Sequence, residues 1–291
     1  MALKAWSYQT DLGFTLRGWF SEPTGKPLLH FLHGNGFCGL TYWPMLALLE
    51  EHFDLWISDV QGHGGSDSGE RFVGWNESAR LAEKAFRAHR LFWDVPRYAL
   101  GHSFGGVVSA LMASQTPKLF SRLVMLDPVL FTPKILWLKQ LLNAVGQKNR
   151  LPMVQAALKR RAHWPSADEA YQALRGRGIY RGWQPEAHQA FIQSALKTLP
   201  DGSVELKCPP WLEAQIFASS PEKLWPSLQK IHVPTKVLYG DKTYPFVEQA
   251  ALRFQAKNAF VELQKCQGGH CFMQEDPAYT AQEIVRFLRV I

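Results

Sequence analysis

Gly101-His102-Ser103-Phe104-Gly105 puts a serine between two glycines in the pattern G-x-S-x-G. A serine hydroxyl is well presented when it sits on a sharp strand-to-helix turn. Small residues two positions before and two after let the strand and the helix approach while the hydroxyl points outward. A helix beginning just after that serine also aims its free N–H groups at any oxyanion formed there. The hydroxyl is a weak nucleophile until a base takes its proton, so a histidine is required at a loop near the ends of the same strands. Of the ten histidines, His270 is the one so placed. It follows an apolar run at 260–263 through a Gln267-Gly268-Gly269 turn and precedes a helical pattern. His33, His63 and His102 each sit beside a glycine in a turn, where an imidazole more often braces a loop than moves a proton. His33-Gly34-Asn35-Gly36 offers a second oxyanion donor, because its glycines let the N–H of Asn35 face the same point as the N–H of Phe104. The plainer reading, an ordinary glycine-rich turn, is less favoured with Ser103 in place.

The elements needed to hold these residues are visible as an alternation of short apolar strands and helical patterns. Strands are expected at 4–9, 14–20, 28–32, 55–59, 98–100 and 123–126, with helical apolar spacing between them at 45–49, 81–88 and 107–112. Such alternation implies parallel strands joined by crossover helices. After Leu130 the rhythm stops, and about a hundred residues carry helical patterns, such as 135–145 and 153–161, with no convincing strand. It resumes with strands at 235–239 and 260–263 and helices at 247–255 and 278–288. Residues 131–230 therefore read as a helical insertion between two sheet strands, with tryptophans and aliphatic helices expected to roof an apolar pocket over Ser103.

Of 291 residues, 46% are hydrophobic and 20% charged, which excludes disordered and fibrous classes. No run of 18 apolar residues occurs, and residues 1–20 lack an apolar segment followed by a small-residue cleavage site. A soluble cytoplasmic protein without integral membrane association is expected. Four scattered cysteines fit a reducing compartment, and the spacing of Cys266, His270 and Cys271 matches no common zinc pattern, so no metal is expected. The net charge of +7 is unevenly spread. Residues 131–230 hold 14 Lys or Arg against 7 Asp or Glu, and the remainder balances at 18 against 18. With no stacking motif beside the charge, nucleic acid is not the expected partner. The basic segment reads either as a solvated surface or as a field steering an anionic substrate to the entrance.

Taken together, these residues resemble the α/β-hydrolase superfamily. The resemblance covers 1–130 and 231–291 and runs in order through the His33-Gly34 turn, Asp59-Val60-Gln61-Gly62-His63-Gly64-Gly65-Ser66, the Ser103 turn, and Gly269-His270 followed by Glu275, Asp276 and Pro277. It implies an α/β fold with an eight-stranded, mostly parallel sheet flanked by helices, the core domain at 1–130 and 231–291, and a helical cap at 131–230. It also implies a serine esterase that cleaves a carboxylic ester or related acyl bond of a small molecule through an acyl-enzyme, with no cofactor. Thioester hydrolysis, carbon–carbon bond hydrolysis and ligand capture without turnover use the same fold. In most relatives the triad acid stands three residues after the glycine ending strand seven, but Thr243 stands three after Gly240 here. Asp127, where one branch of the family carries its acid, is the favoured replacement, and Asp241 on the Gly240 loop is the runner-up.

Overall fold

A computed structural model describes residues 3–289. Along the chain the core begins with strands β1 (Lys4–Gln9), β2 (Thr15–Phe20) and β3 (Leu28–Leu32), then helix α1 (Trp43–Glu50) and strand β4 (Asp54–Asp59). Helix α2 (Trp75–Ala88), strand β5 (Arg97–His102), helix α3 (Phe104–Gln115) and strand β6 (Arg122–Leu126) follow. The chain then leaves the sheet for helices α4 (Pro133–Ala144), α5 (Pro152–Leu158), α6 (Ala167–Leu174), α7 (Pro185–Ala195), α8 (Pro210–Ala218) and α9 (Leu224–Leu228). Interleaved with these are the short strands β7 (His163–Trp164), β8 (Leu196–Thr198) and β9 (Val204–Leu206). Strand β10 (Thr235–Gly240), helix α10 (Pro245–Lys257), strand β11 (Val261–Cys266) and helices α11 (Phe272–Glu275) and α12 (Pro277–Leu288) complete the core.

The main sheet has the order β1-β2-β4-β3-β5-β6-β10-β11. The first two pairings, β1 with β2 and β2 with β4, are antiparallel, and all the others are parallel. Central strands covered by helices on both faces lose the alternation of a half-exposed strand, which is why β3 reads Leu-Leu-His-Phe-Leu and is buried throughout. Helix α2 shows the complementary pattern. Trp75, Ala79, Ala82 and Phe86 pack inward, while Arg80 and Arg87 pair with Glu77 and Glu83 on the outer face. Because every parallel strand runs the same way, the loops after β3, β5, β6, β10 and β11 gather at one edge of the sheet.

Residues 131–230 are not purely helical, which corrects the expectation drawn from the sequence. β7, β9 and β8 form a three-stranded antiparallel sheet of their own. With only two or three residues each, these strands are too short for a period-2 pattern to show. Buried Trp164, Leu196, Val204 and Leu206 join them to the apolar layer that covers one face of the main sheet. The other part of the segment is less firmly seated. Helices α5 and α8 share a small cluster of Val154, Ala157, Ala214 and Ala218, and α4 leaves Trp137 65% exposed.

Candidate active site

Ser103 occupies the joint between β5 and α3 with φ 53° and ψ −114°, a region that a residue with a side chain enters only under constraint. The flanking glycines make the joint sterically feasible. A Cβ on Gly101 would lie 2.4 Å from the carbonyl oxygen of Gly105, and one on Gly105 would lie 2.2 Å from that of Leu32. The Ser103 N–H donates to the Leu126 carbonyl at 2.9 Å, which ties the joint to the neighbouring strand. Phe104 is the first residue of α3, so its N–H lacks a partner within the helix.

Three side chains meet at the sheet edge. Ser103 Oγ lies 3.0 Å from His270 Nε2, and His270 Nδ1 lies 2.5 Å from Asp127 Oδ2. Asp127 follows β6 at φ 43° and is fully buried. Its Oδ1 accepts the Gly240 N–H at 2.8 Å, and its Oδ2 also accepts a hydrogen bond from the Thr243 hydroxyl. Thr243, which stands where a carboxylate was first sought, therefore donates to the carboxylate supplied from the adjacent strand. Asp241 is used differently: its Oδ1 accepts the Gly268 N–H at 2.8 Å and braces the turn leading to His270.

The other histidines of this edge are buried and bonded to loops. The His102 ring bridges two of them, with Nε2 2.9 Å from the His270 carbonyl and Nδ1 2.6 Å from the Tyr42 hydroxyl. Since the carbonyl only accepts, Nε2 carries the proton and Nδ1 accepts from Tyr42, whose oxygen in turn accepts the Gly34 N–H at 3.1 Å. His33 Nε2 accepts the Val60 N–H, and His63 Nε2 accepts the Gly36 N–H. Desolvation disfavours the imidazolium in each case. It pushes His102 well below the ordinary histidine range, His33 down to about 4 and His63 down to about 3.

The loop holding Asn35 is also fastened to residues 131–230. Asn35 Nδ2 donates to the Glu213 carbonyl at 3.1 Å. The Glu213 carboxylate binds Arg160 at 2.8 Å, and Arg160 reaches the Tyr180 hydroxyl at 2.5 Å. Sequence reasoning missed this network and the Tyr42 bridge, because the bonds from Asn35 to Glu213, from Glu213 to Arg160 and from Tyr42 to His102 each join residues more than fifty positions apart without a local pattern. Thr243 did leave a signal, an uncharged donor at a position where an acid was expected.

A cavity of about 220 Å³ opens beside Ser103. Its core wall includes Asn35, Trp75, Phe104 and Phe246, and the rest comes from Phe131, α4, Leu151 with the first residues of α5, and α8. None of the five tryptophans of 131–230 lines it: Trp164 is buried at 0% exposure, and Trp225 donates to the Phe131 carbonyl. Ile135, Leu138 and Met153 supply the apolar surface instead. Among the described residues no group of three or more His, Cys, Asp or Glu could hold a metal ion, and all four cysteines are free and buried. No helix of the described residues is long and apolar enough to cross a membrane.

Comparison with known proteins agrees with this architecture. The model of the alpha/beta hydrolase family matches residues 31–283, and the chain belongs to that family. It is 33% identical over 119 residues to monoglyceride lipase of Mus musculus, a stretch covering 39% of this chain and 38% of that protein. The chain thus spans about two fifths of the length of that relative. Over 288 residues, 94% of this chain and 78% of the other, it is 24% identical to monoacylglycerol lipase abhd6-B of Xenopus laevis. Among solved structures, E-2-(acetamidomethylene)succinate hydrolase superposes with a TM-score of 0.78 at 21% identity, covering 98% of this chain and 99% of that one. At that identity the likeness establishes the shared fold.

Proposed function

We propose that this protein is a serine hydrolase that cleaves a carboxylic ester, or a related acyl bond, of a small-molecule substrate through an acyl-enzyme. The observation carrying the reading is the unbroken chain from the Ser103 hydroxyl through His270 to the buried Asp127 carboxylate, at 3.0 and 2.5 Å. His270 takes the hydroxyl proton as Ser103 attacks the acyl carbon, then returns it to the leaving group. Asp127 holds the Nδ1 proton of His270, which leaves Nε2 free to accept. The N–H groups of Phe104 and Asn35 receive the oxyanion. Water then enters, His270 deprotonates it, and the acyl-enzyme is hydrolysed. The monoglyceride lipase and monoacylglycerol lipase relatives support acyl transfer as the reaction class.

A fluorophosphonate probe that labels the wild-type protein, fails on Ser103→Ala and parallels hydrolysis of a short p-nitrophenyl ester would support the reading. Equal labelling of both proteins, or tight capture of esters without turnover, would overturn it in favour of a binding protein on the same fold.

A further inference from the structure

Lys139 is an anomaly in the wall of the Ser103 cavity. It sits on α4, is only 6% exposed, and has no carboxylate within 4.0 Å among the described residues. Its ammonium lies 4.4 Å from the centre of the Phe131 ring and donates to the Phe217 carbonyl at 2.6 Å, and both partners line the same cavity. Burying a cation among apolar groups is costly, and desolvation pulls Lys139 down to about 8. Four methylenes ending in a methyl would fill the same space without that cost.

Lys139 also lines a second cavity, of about 690 Å³, together with Gln140 and Asn143 of α4. Arg71 and Lys148 join it there, and no Asp or Glu contributes to that wall. Neither Arg71 nor Lys148 is in an ion pair among the described residues. Another cavity of about 690 Å³, near Trp19, shows the contrast: its Arg17 is committed to Asp67 at 2.6 Å, and Asp59 stands in its wall. Three cations without a counter-ion, one of them shared with the pocket of the proposed nucleophile, describe a place for a negative charge.

We infer that the substrate carries an anionic group, a carboxylate or a phosphate, which seats against Lys139, Arg71 and Lys148 while its acyl group lies in the Ser103 cavity. This rests on the acyl-transfer reading for the reaction and on the two cavities for the specificity. The anion neutralises a lysine already stripped of water, so binding recovers part of what its burial costs.

Two matched pairs of substrates test the inference and separate the sources of charge. Mono-p-nitrophenyl adipate against p-nitrophenyl hexanoate places the anion at the far end of the acyl group. 1-Hexanoylglycerol 3-phosphate against 1-hexanoylglycerol places it on the alcohol. In at least one pair the anionic member should be favoured in kcat/KM by tenfold or more at low salt. That ratio should fall at least tenfold in Lys139→Met, and severalfold in Arg71→Gln and Lys148→Gln, whose side chains are exposed and carry little folding risk. A ratio that stays the same in all three variants overturns the inference. Titrating the same four compounds into Ser103→Ala reads capture without chemistry. Anion-dependent binding there, with no turnover by the wild type, would count against acyl transfer and for the anion site, whereas equal binding of charged and neutral members overturns the site.

Discussion

The sheet edge and residues 131–230 hold their parts of the site by different means. At the sheet edge the positions are set by backbone. Ser103 is pinned by its N–H to Leu126, and Asp127 by the Gly240 N–H, each between neighbouring strands whose register is fixed along their length. Residues 131–230 are held at the same cavity by single bonds that each use a side chain: the Asn35 amide donates to the Glu213 backbone carbonyl, Arg160 pairs with the Glu213 carboxylate, and Lys139 donates to the Phe217 carbonyl. Backbone pairing between buried strands leaves few alternative arrangements, whereas a side-chain bridge can be broken singly. Chemistry that needs sub-ångström placement belongs on the first kind of support, and substrate selection can be left to the second.

The sharpest way to break this comparison is at Asp127. An amide in its place keeps the shape but favours the wrong tautomer of His270, and kcat should fall roughly 10²- to 10⁴-fold. Asp241→Asn, which disturbs only the brace to Gly268, should cost less than tenfold. If the two effects are reversed in steady-state assays, the acid of the proposed mechanism is Asp241 and the strand-edge support is not where the chemistry rests.

A second test strikes the side-chain support. Glu213 and Arg160 expose only 9% and 19% of their side chains. Glu213→Gln leaves a mostly buried guanidinium without its counter-charge, at a cost of about 3 kcal/mol in urea unfolding, the lower end for a buried pair. Arg160→Met with Glu213→Leu should recover most of that loss, because the pair's removal also removes its desolvation. In both proteins kcat should change less than tenfold. A loss of kcat as large as that of Asp127→Asn would mean that residues 131–230 position the reacting groups after all.

The family and the sheet were legible because their signals are local: glycines at fixed offsets around Ser103, apolar strands between helical patterns, and motifs in a set order. The choice between Asp127 and Asp241 was legible only in part: Thr243 in the acid's usual place favoured Asp127, but both aspartates stand at strand ends and spacing cannot tell which carboxylate turns toward His270. What distinguishes them in space is that Asp127 projects from β6 between Gly240 and Thr243, across a strand pairing that joins residues more than a hundred positions apart. The small sheet of 131–230 escaped notice because strands of two or three residues carry no period. The basic excess was visible as a count, but the burial of Lys139 was not, since its place in α4 differs from that of Lys134 only in what the helix packs against.

Lys139 gives the comparison a pH dependence. Its folded-state value of about 8 lies below the ordinary 10.5, so the unfolded chain binds its proton more tightly. The penalty is present in full below pH 8 and is relieved as pH rises from 8 to 10.5, where the folded protein has released the proton and the unfolded chain has not. The shift corresponds to roughly 3 kcal/mol, and loss of the bond to Phe217 offsets about 1 of it. Lys139→Met should therefore be more stable than the wild type by about 2 kcal/mol at pH 7, with the gap closing toward pH 10. A variant less stable than the wild type at pH 7 would mark Lys139 as a structural clip.

The smallest expected effect sits where the two kinds of support meet. Thr243 acts through its side chain, yet it acts on Asp127, which backbone already holds. Thr243→Val removes one donor from the carboxylate and leaves the Gly240 N–H and His270 in place. Hydrogen bonds to charged groups contribute about 1.5–3 kcal/mol, but the remaining partners keep the geometry, so kcat should drop only about tenfold. Thr243→Ser keeps the hydroxyl and should restore most of the rate, which a purely steric role for the methyl group would not allow. Should Thr243→Val cost as much as Asp127→Asn, the backbone bond from Gly240 does not suffice to hold the carboxylate, and the strand edge depends on side chains as the inserted segment does. Should both variants act like the wild type, the Gly240 bond alone positions Asp127 and the contrast between the two regions is complete.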